Sequence, residues 1–482
     1  MGAALALLTT TGATGAGRGA PSEPPLRLVA ASGSVTLERT EDDPFVFLDL
    51  GVHAVAGATP FEIRVSRRSY ADPIVAIQYV RGATRTRRLP DGLLDDFAGL
   101  PGFLHVTLTD RAGEVVAERD QLFCPNSFDP ARARPDAPSV SPFPQYCGNN
   151  PFTLGAVWGI QAGWSVPTAG QSGTVVRLAE GHYTARVTVA KPYRDLFSIP
   201  ETELNIQVTV TTADGPALRG PATAGPRRTS GTRPVPRLSR PTGPATVPAG
   251  PRPDLIPLPA WGIGVTDGDF GTPGAGDRQY LAFNANVWNA GPSPLTVDGF
   301  RRPGQDLMDA YQYFYDDQGR QVGYAPTGTL EWDRRDGHHH WHFADFASYH
   351  LLDESRHEVV RSQKEAFCLA PTDPIDLTVR NANWKPFNTD LHTACGEETS
   401  LSIREVLDVG HGDTYLQYLP GQAFDVTDLP NGTYYIRVIA NPDQRLYEST
   451  THNNASLRQV ILGGTPAERT VDVPPYHLVD AP

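Results

Sequence analysis

Three histidines stand at alternating positions in the stretch from Gly337 to Phe343, namely His338, His340 and His342. In a β-strand, residues i, i+2 and i+4 project from one face, so an extended chain would set the three imidazoles side by side. Three neutral imidazoles suit either a catalytic zinc ion with an open coordination position or a copper ion, which nitrogen ligands bind more tightly. The spacing leaves the choice between the two metals open.

Two other residues downstream could take part in chemistry. Lys364 lies just before the run Ala-Phe-Cys-Leu, and Tyr415 closes the triplet Asp-Thr-Tyr. A single lysine is usually a solvated charge and a single tyrosine usually belongs to a core, so neither defines a site alone. Asp345 and Asp413 are the carboxylates nearest in sequence to the histidine run and to the tyrosine. Each is a candidate general base or a partner that orients an imidazole, with a turn or cap role as the alternative.

The elements that must hold these residues are predicted to be β-strands. The 482 residues include 46 Gly, 45 Pro and only 2 Met, a composition that disfavours long helices. Runs such as 34–38 and 184–189 alternate apolar and polar residues between turn residues, as strands with one buried face do. The predicted fold class is therefore all-β.

Composition divides the chain into five segments. These are a signal-like or disordered terminus (1–25), an accessory domain built as an antiparallel β-sandwich (26–214), a Pro/Arg-rich linker (215–252), a β-sandwich domain that carries the candidate site (253–465) and a C-terminal tail (466–482). The linker contains too little apolar surface to offset the entropy of ordering. Its arginines would either tether the chain to an anionic polymer or simply belong to a soluble spacer, and the spacer is the simpler interpretation. The accessory domain would contact an extracellular polymer or protein.

The charge and the cysteines limit the classes of partner and compartment. A formal net charge of -13 argues against nucleic acid as the main partner. No stretch after the N-terminus approaches the roughly 20 apolar residues of a membrane-spanning helix. Four cysteines fall in two local pairs, Cys124 with Cys147 and Cys368 with Cys395, which predicts two disulfides unless all four are free thiols. With the apolar N-terminus, this predicts a secreted protein.

The ordered recurrence of these motifs resembles the lysyl oxidase family. Members carry alternating copper-binding histidines, a lysine before an Ala-Phe-Cys-Leu-like element, and a tyrosine in an Asp-Thr-Tyr triplet. The resemblance covers about 253–462 and extends to the segments 425–434 and 447–454. It implies copper held by His338, His340 and His342, and a lysine tyrosylquinone cofactor formed by cross-linking Lys364 to Tyr415.

The resemblance implies oxidative deamination of a primary amine, either peptidyl lysine or a small amine, with dioxygen as the oxidant. The sequence departs from the animal members in two places: the segment 331–337 lacks a histidine and a cysteine, and the stretch between Lys364 and Tyr415 is longer. Insertions near a site commonly change its specificity. Two alternatives stay open, a zinc-dependent hydrolase that uses the same histidines and a non-catalytic extracellular copper-binding protein.

Overall fold

A computed structural model describes most of the chain. The described residues are 23–80, 85–148, 150–169, 174–213, 240–267, 278–316, 318–334, 339–362, 366–386, 395–416 and 423–481. The signal-like terminus up to residue 22, most of the predicted linker (214–239), His338 and Lys364 lie outside these ranges. Within them the all-β prediction is confirmed, since strands alternate with turns and α1 (Lys191–Phe197) is the only α-helix. No described helix is long and apolar enough to cross a membrane.

The N-terminal region up to residue 212 is built from short strands. They are β1 (Leu26–Ala30), β2 (Ser34–Arg39), β3 (Phe45–Phe47), β4 (Val52–Ala56), β5 (Phe61–Ser66), β6 (Val75–Val80), β7 (Arg85–Arg88), β8 (Leu100–Thr109), β9 (Val115–Phe123), β10 (Ala131–Arg132), β11 (Gly155–Ile160), β12 (Trp164–Pro167), β13 (Val175–Arg177), β14 (Gly181–Val189) and β15 (Glu203–Thr212). They pair as β1-β4-β12-β10, β11-β5-β6-β7, β13-β3 and β2-β15-β14-β8-β9.

The C-terminal region contains a second set of strands. They are β16 (Leu255–Pro257), β17 (Trp261–Asp267), β18 (Gln279–Asn289), β19 (Leu295–Arg301), β20 (Leu307–Tyr315), β21 (Gln321–Asp333), β22 (His340–Phe343), β23 (Ala347–Leu352), β24 (Glu358–Arg361), β25 (Asp373–Pro374), β26 (Ser402–Leu407), β27 (His411–Leu416), β28 (Phe424–Asp425), β29 (Gly432–Ala440), β30 (Ala455–Thr465) and β31 (Glu468–Asp472). The sheet orders are β16-β18-β27-β25 with β17 and β28 beside β18, β22-β21-β20-β19-β26, and β24-β23-β29-β30-β31.

Three C-terminal sheets enclose one apolar core. Phe283 of β18, Trp341 of β22 and Ile436 of β29 come from different sheets and belong to the same buried cluster. The alternation typical of a strand with one buried face is clear in β29, in which every second residue from Tyr434 to Ala440 is buried. A separate cluster with Trp158 and Phe103 fills the N-terminal region. Both disulfides predicted from cysteine spacing are present.

Two segments that composition set apart from the domains are packed against them. Within the predicted linker, Thr246 exchanges two backbone hydrogen bonds with Tyr324 of β21. Within the predicted tail, β31 pairs with β30 and extends its sheet. Backbone pairing of this kind needs no apolar composition, and therefore the pattern of side chains did not reveal it.

The two regions meet at a seam formed by β11 and the segment 372–384. Leu154 N–H donates to Ile375 O at 2.7 Å and Leu377 N–H donates to Gly155 O at 2.9 Å. A Cβ atom on Gly155 would overlap the carboxylate of Asp376, which is why this position needs a glycine. The seam also contains the fully buried ring of Phe152, which packs edge-on against three aromatic rings: Tyr70, Trp261 and Tyr476.

One buried carboxyl joins the elements of the C-terminal region. Glu448 Oε2 accepts a hydrogen bond from Leu255 N–H at 2.7 Å, and Oε1 accepts from the amides of Asn441 at 2.6 Å and Asn454 at 2.8 Å. Burial raises the pKa of Glu448 from 4.5 to about 7 despite these donors. Because the folded pKa lies above the unfolded one, this carboxyl favours the folded state at acidic pH and loses that contribution as pH rises through 7.

We therefore expect the stability difference between the wild type and Glu448→Gln to depend on pH. The wild-type advantage in free energy of unfolding should be larger at pH 4.5 than at pH 8 by up to about 3 kcal/mol, the equivalent of the pKa shift. Urea denaturation of both proteins across this range measures the difference. An advantage that stays constant with pH would contradict the assignment.

Candidate active site

The short strand β22 carries two of the three predicted metal ligands. His340 and His342 lie on one face, while Trp341 and Phe343 face the core, where they are 0% and 1% exposed. The two aromatic residues interleaved with the histidines therefore anchor the strand in the core. His342 itself is 1% exposed, so its imidazole works in an environment with little water.

The two imidazoles converge on one point. Their Nε2 atoms are 2.8 Å apart and their ring planes are inclined by 75°. On the other side of its ring, His342 Nδ1 lies 3.2 Å from a carboxylate oxygen of Asp333 on the paired strand β21. An ionised carboxylate only accepts, so the network assigns the proton of neutral His342 to Nδ1 and leaves a lone pair on Nε2.

This arrangement fits a metal ion. Two Nε2 atoms at 2.8 Å require a proton or a cation at their meeting point, because two lone pairs repel each other. A metal-bound imidazole typically donates its other N–H to a carboxylate, as His342 does to Asp333. Within the described ranges, no three His, Cys, Asp or Glu side chains form a complete metal-binding group. The third predicted ligand, His338, lies outside those ranges.

The free edge of β22 is covered by the two ends of a disulfide-bridged segment. Phe343 N–H donates to Phe367 O at 2.6 Å, and Phe367 N–H returns a bond to Phe343 O at 3.0 Å. Two residues earlier, Trp341 N–H donates to Cys395 O at 3.0 Å. Cys395 is bridged to Cys368, so one covalent link fixes both segments that flank the histidine strand.

Tyr415 of β27 reaches the same place from a different sheet. Its hydroxyl lies 3.4 Å from His342 Nε2 and 3.4 Å from the backbone N–H of Cys368. The ring packs edge-on against Phe367, with centroids 4.2 Å apart. The structure therefore brings together His340, His342 and Tyr415, and places them beside the segment that follows Lys364, which itself lies outside the described residues.

The surroundings of Tyr415 keep its phenol protonated. Burial, followed by the negative charge of Asp413, raises the pKa of Tyr415 above its ordinary value. Asp413 lies two residues earlier on the same strand, therefore on the same face, and is 1% exposed. A second phenol, Tyr349, is fully buried in the same core, and its pKa is raised by burial and by Tyr415 and Asp413.

The other candidate carboxylate has a different environment. Asp345 has a positive φ of 57° at the turn after β22. Its carboxylate forms an ion pair with Arg445 at 2.8 Å, and its side chain is 31% exposed. Of the two candidates, Asp413 is the one that the fold sets beside Tyr415.

Sequence reasoning missed Asp333. A signal for it existed, because Glu331-Trp332-Asp333 repeats the polar–Trp–polar alternation of His340-Trp341-His342. Asp336-Gly337, a dipeptide favoured in hairpin turns, stands between the two runs. Pairing the runs as a hairpin would have set Asp333 opposite His340, which is the register of the structure.

A cavity of about 590 Å³ lies elsewhere, on the outer side of β29 and β30. Tyr70 and Tyr476 contribute to its wall, together with Arg356 and Arg437. None of the candidate site residues lines this cavity, so the candidate active site remains the one at the histidine strand.

The fold and the site define an all-β protein in which buried imidazoles and a buried phenol converge at the edge of a disulfide-braced strand. The sequence was also compared with models of known protein families. Residues 315–470 match the lysyl oxidase family model. Residues 315–470 therefore carry a lysyl oxidase domain by this comparison, as the motifs within them predicted.

Characterised relatives agree with this assignment. Lysyl oxidase homolog 2 of Xenopus tropicalis is 30% identical over 138 residues, which is 28% of this chain and 16% of that protein. Protein-lysine 6-oxidase of Gallus gallus is 30% identical over 125 residues, 26% of each chain. Lysyl oxidase homolog 1 of Homo sapiens is 32% identical over 131 residues, 27% of this chain and 20% of that protein. The chain thus spans about a quarter or less of these relatives.

The contact between Asp333 and His342 generates a test. Replacing Asp333 with Asn removes the negative charge behind the imidazole and should weaken Cu²⁺ binding by about 10- to 100-fold. Competition with a chelator, followed by metal analysis, measures the affinity. Asp345→Asn is the matched control and should bind copper like the wild type; equal losses in the two variants would exclude a specific role for Asp333.

Proposed function

We propose that this chain is a copper-dependent amine oxidase that uses a lysine tyrosylquinone formed from Lys364 and Tyr415. The observation that carries the proposal is the placement of Tyr415, whose hydroxyl lies 3.4 Å from His342 Nε2 and from Cys368 N–H. Packing alone does not require a phenol hydroxyl to face a pair of imidazoles. A zinc hydrolase that uses the same histidines would not explain the position of this phenol.

The residues divide the work in the following way. His338, His340 and His342 would hold the copper, and Asp333 would fix the tautomer and orientation of His342. When bound, copper and the quinone supply the two-electron oxidation by which a primary amine, dioxygen and water give an aldehyde, ammonia and hydrogen peroxide. The remaining tasks are to hold the ring, to exclude water and to move protons.

The surroundings of Tyr415 hold its ring. Phe367 packs against the ring, and Cys368 N–H donates to the hydroxyl, which lies 3.4 Å from His342 Nε2. Phe367 and Cys368 follow Lys364 by only three and four residues in the sequence, which supports the pairing of Lys364 with Tyr415. To react as a nucleophile, Lys364 must lose its proton, which burial or nearby positive charge favours.

Asp413 is the proposed base for the α-proton of the substrate amine. It shares a strand face with Tyr415 and is almost fully buried, so few water molecules compete for its oxygens. Asp345 remains the alternative, although its ion pair with Arg445 already engages the carboxylate. The two disulfides suit a secreted protein, in which the N-terminal region would contact an extracellular polymer or protein.

The substrate class follows from the relatives. One of them is named protein-lysine 6-oxidase, an enzyme that acts on lysine in protein. We propose a primary amine as the substrate of this chain. Because the family match is limited to residues 315–470, the proposal includes both peptidyl lysine and small amines.

Spectroscopy and mass spectrometry test the proposal directly. Copper-loaded wild type should show a visible quinone band that reacts with phenylhydrazine, and a cross-linked peptide containing Lys364 and Tyr415. Tyr415→Phe should lose both while still binding copper. Tyr349→Phe is the matched control, since it removes another buried phenol of the same core and should keep both.

Two results would contradict the proposal. Separate, unmodified Lys364 and Tyr415 peptides in fully copper-loaded protein would exclude the cofactor and leave a non-catalytic copper-binding protein. A colourless protein that retains zinc and hydrolyses a substrate would favour the hydrolase.

The role of the base has its own test. Asp413→Asn should lower kcat/KM for amine oxidation by about 10²- to 10⁴-fold while the quinone content per chain stays unchanged. Asp345→Asn should leave the rate unchanged. If the slow variant is Asp345→Asn instead, the assignments are reversed, and unchanged rates in both variants would remove both carboxylates from the mechanism.

A further inference from the structure

The core beneath Tyr415 contains a carboxyl group that the mechanism above does not use. Glu405 lies on β26 and is 0% exposed. Its neighbours at i-2 and i+2, Ile403 and Leu407, are buried on the same apolar face. A carboxyl in such a position costs stability unless the protein satisfies or uses it.

Only half of this carboxyl is satisfied. Oε2 accepts a hydrogen bond from Leu369 N–H at 3.1 Å. Oε1 is buried and has no hydrogen-bond partner among the described residues. An unpaired buried polar atom destabilises the folded state, so its presence in a core needs an explanation.

The satisfied oxygen ties Glu405 to Tyr415 through the backbone. Leu369 N–H, which binds Glu405, and Cys368 N–H, which binds the Tyr415 hydroxyl, belong to consecutive peptide groups. The charge of Glu405 is also among the causes that raise the pKa of Tyr415, after burial and the charge of Asp413. Glu405 therefore lies within electrostatic reach of the phenol.

The protonation state of Glu405 decides what its free oxygen offers. Burial raises the pKa of Glu405 well above its ordinary value, and the nearby charge of Asp413 adds to the effect. A fully buried carboxyl with one unpaired oxygen favours its neutral form, because an uncompensated charge in an apolar core is costly. With Oε2 accepting from Leu369 N–H, a proton on Oε1 makes that atom a hydrogen-bond donor.

We propose that Glu405 donates a hydrogen bond from Oε1 to an oxygen atom of the quinone ring at position 415. The inference rests on the proposed function, because only a modified ring carries the additional oxygen. A neutral carboxylic acid kept in an apolar site is an effective donor to an oxygen on which negative charge develops, and the low dielectric of the core strengthens the bond. Oε1, which has no partner among the described residues, thereby gains one.

The substitution Glu405→Gln separates this role from that of an ionised base. The glutamine amide keeps the shape, accepts from Leu369 through its oxygen and donates through its nitrogen, but cannot exchange a proton. A donor role predicts that Glu405→Gln retains the quinone and its turnover within about 3-fold. A base role predicts a loss of about 10² or more.

The substitution Glu405→Leu removes the donor while filling the site with apolar atoms. Turnover per quinone should fall by about 10²-fold, as expected for the loss of one donor to a developing oxyanion. The visible absorption maximum should also move relative to the wild type, a change that a purely structural role would not produce. Glu448→Gln is the control for the general effect of altering a buried carboxyl, and it should leave both quantities unchanged.

Infrared difference spectroscopy supplies a readout that needs neither copper nor activity. The spectrum of copper-free wild type minus that of Glu405→Gln should contain the carbonyl band of a protonated carboxyl. An ionised carboxylate band in its place would overturn the inference. So would a colourless Glu405→Gln protein that unfolds at the same temperature as the wild type. Absence of the cross-linked peptide from the wild type itself would instead overturn the proposed function and this inference together.

Discussion

Two backbone hydrogen bonds between Phe343 and Phe367 are the interaction on which the site depends. They dock the segment that follows Lys364 onto the strand that carries His340 and His342. Without them, the edge of this strand would expose unpaired backbone groups, and the segment that begins at Ala366 would have no fixed position relative to the imidazoles. The disulfide between Cys368 and Cys395 reinforces this docking, because Cys395 O accepts from Trp341 N–H on the same strand. His340, His342 and the segment 366–368 are thus positioned by a single edge.

The same edge concentrates polar groups where water is scarce. Asp333 contacts His342, and the charges of Asp413, Glu405 and Asp333 add to burial in raising the pKa of Tyr415. A core made only for stability would avoid such groups, since apolar replacements of similar shape are often neutral or stabilising. Their accumulation around one phenol is better explained by chemistry that needs a fixed tautomer, a protonated ring and defined donors.

The sequence predicted what depends on local alternation and missed what depends on pairing between strands. Period-two spacing predicted that the histidines share one face of a strand, because the direction of a side chain follows directly from the pleat. Asp333 was accessible only by pairing two strands across a turn. Glu405 was harder still to interpret from the sequence. Alternation sets it on an apolar face with Ile403, which gives no reason for a charged residue type. The reason becomes visible only in the hydrogen bond from Leu369 N–H, which belongs to a distant segment.

The N-terminal region lies outside the family match, yet the structure ties it to the site. Its strand β11 bonds to the segment around Ile375, and the adjoining β25 pairs with β27, the strand that carries Tyr415. Thr372 extends the connection, because its hydroxyl accepts from Thr414 N–H, one residue before the tyrosine. A shift at the seam would therefore act on β27 before it acted on His340 or His342. The N-terminal region therefore helps to position Tyr415. The same contact explains why the segment between Lys364 and Tyr415 is long, because this segment must reach β11 and return to β27.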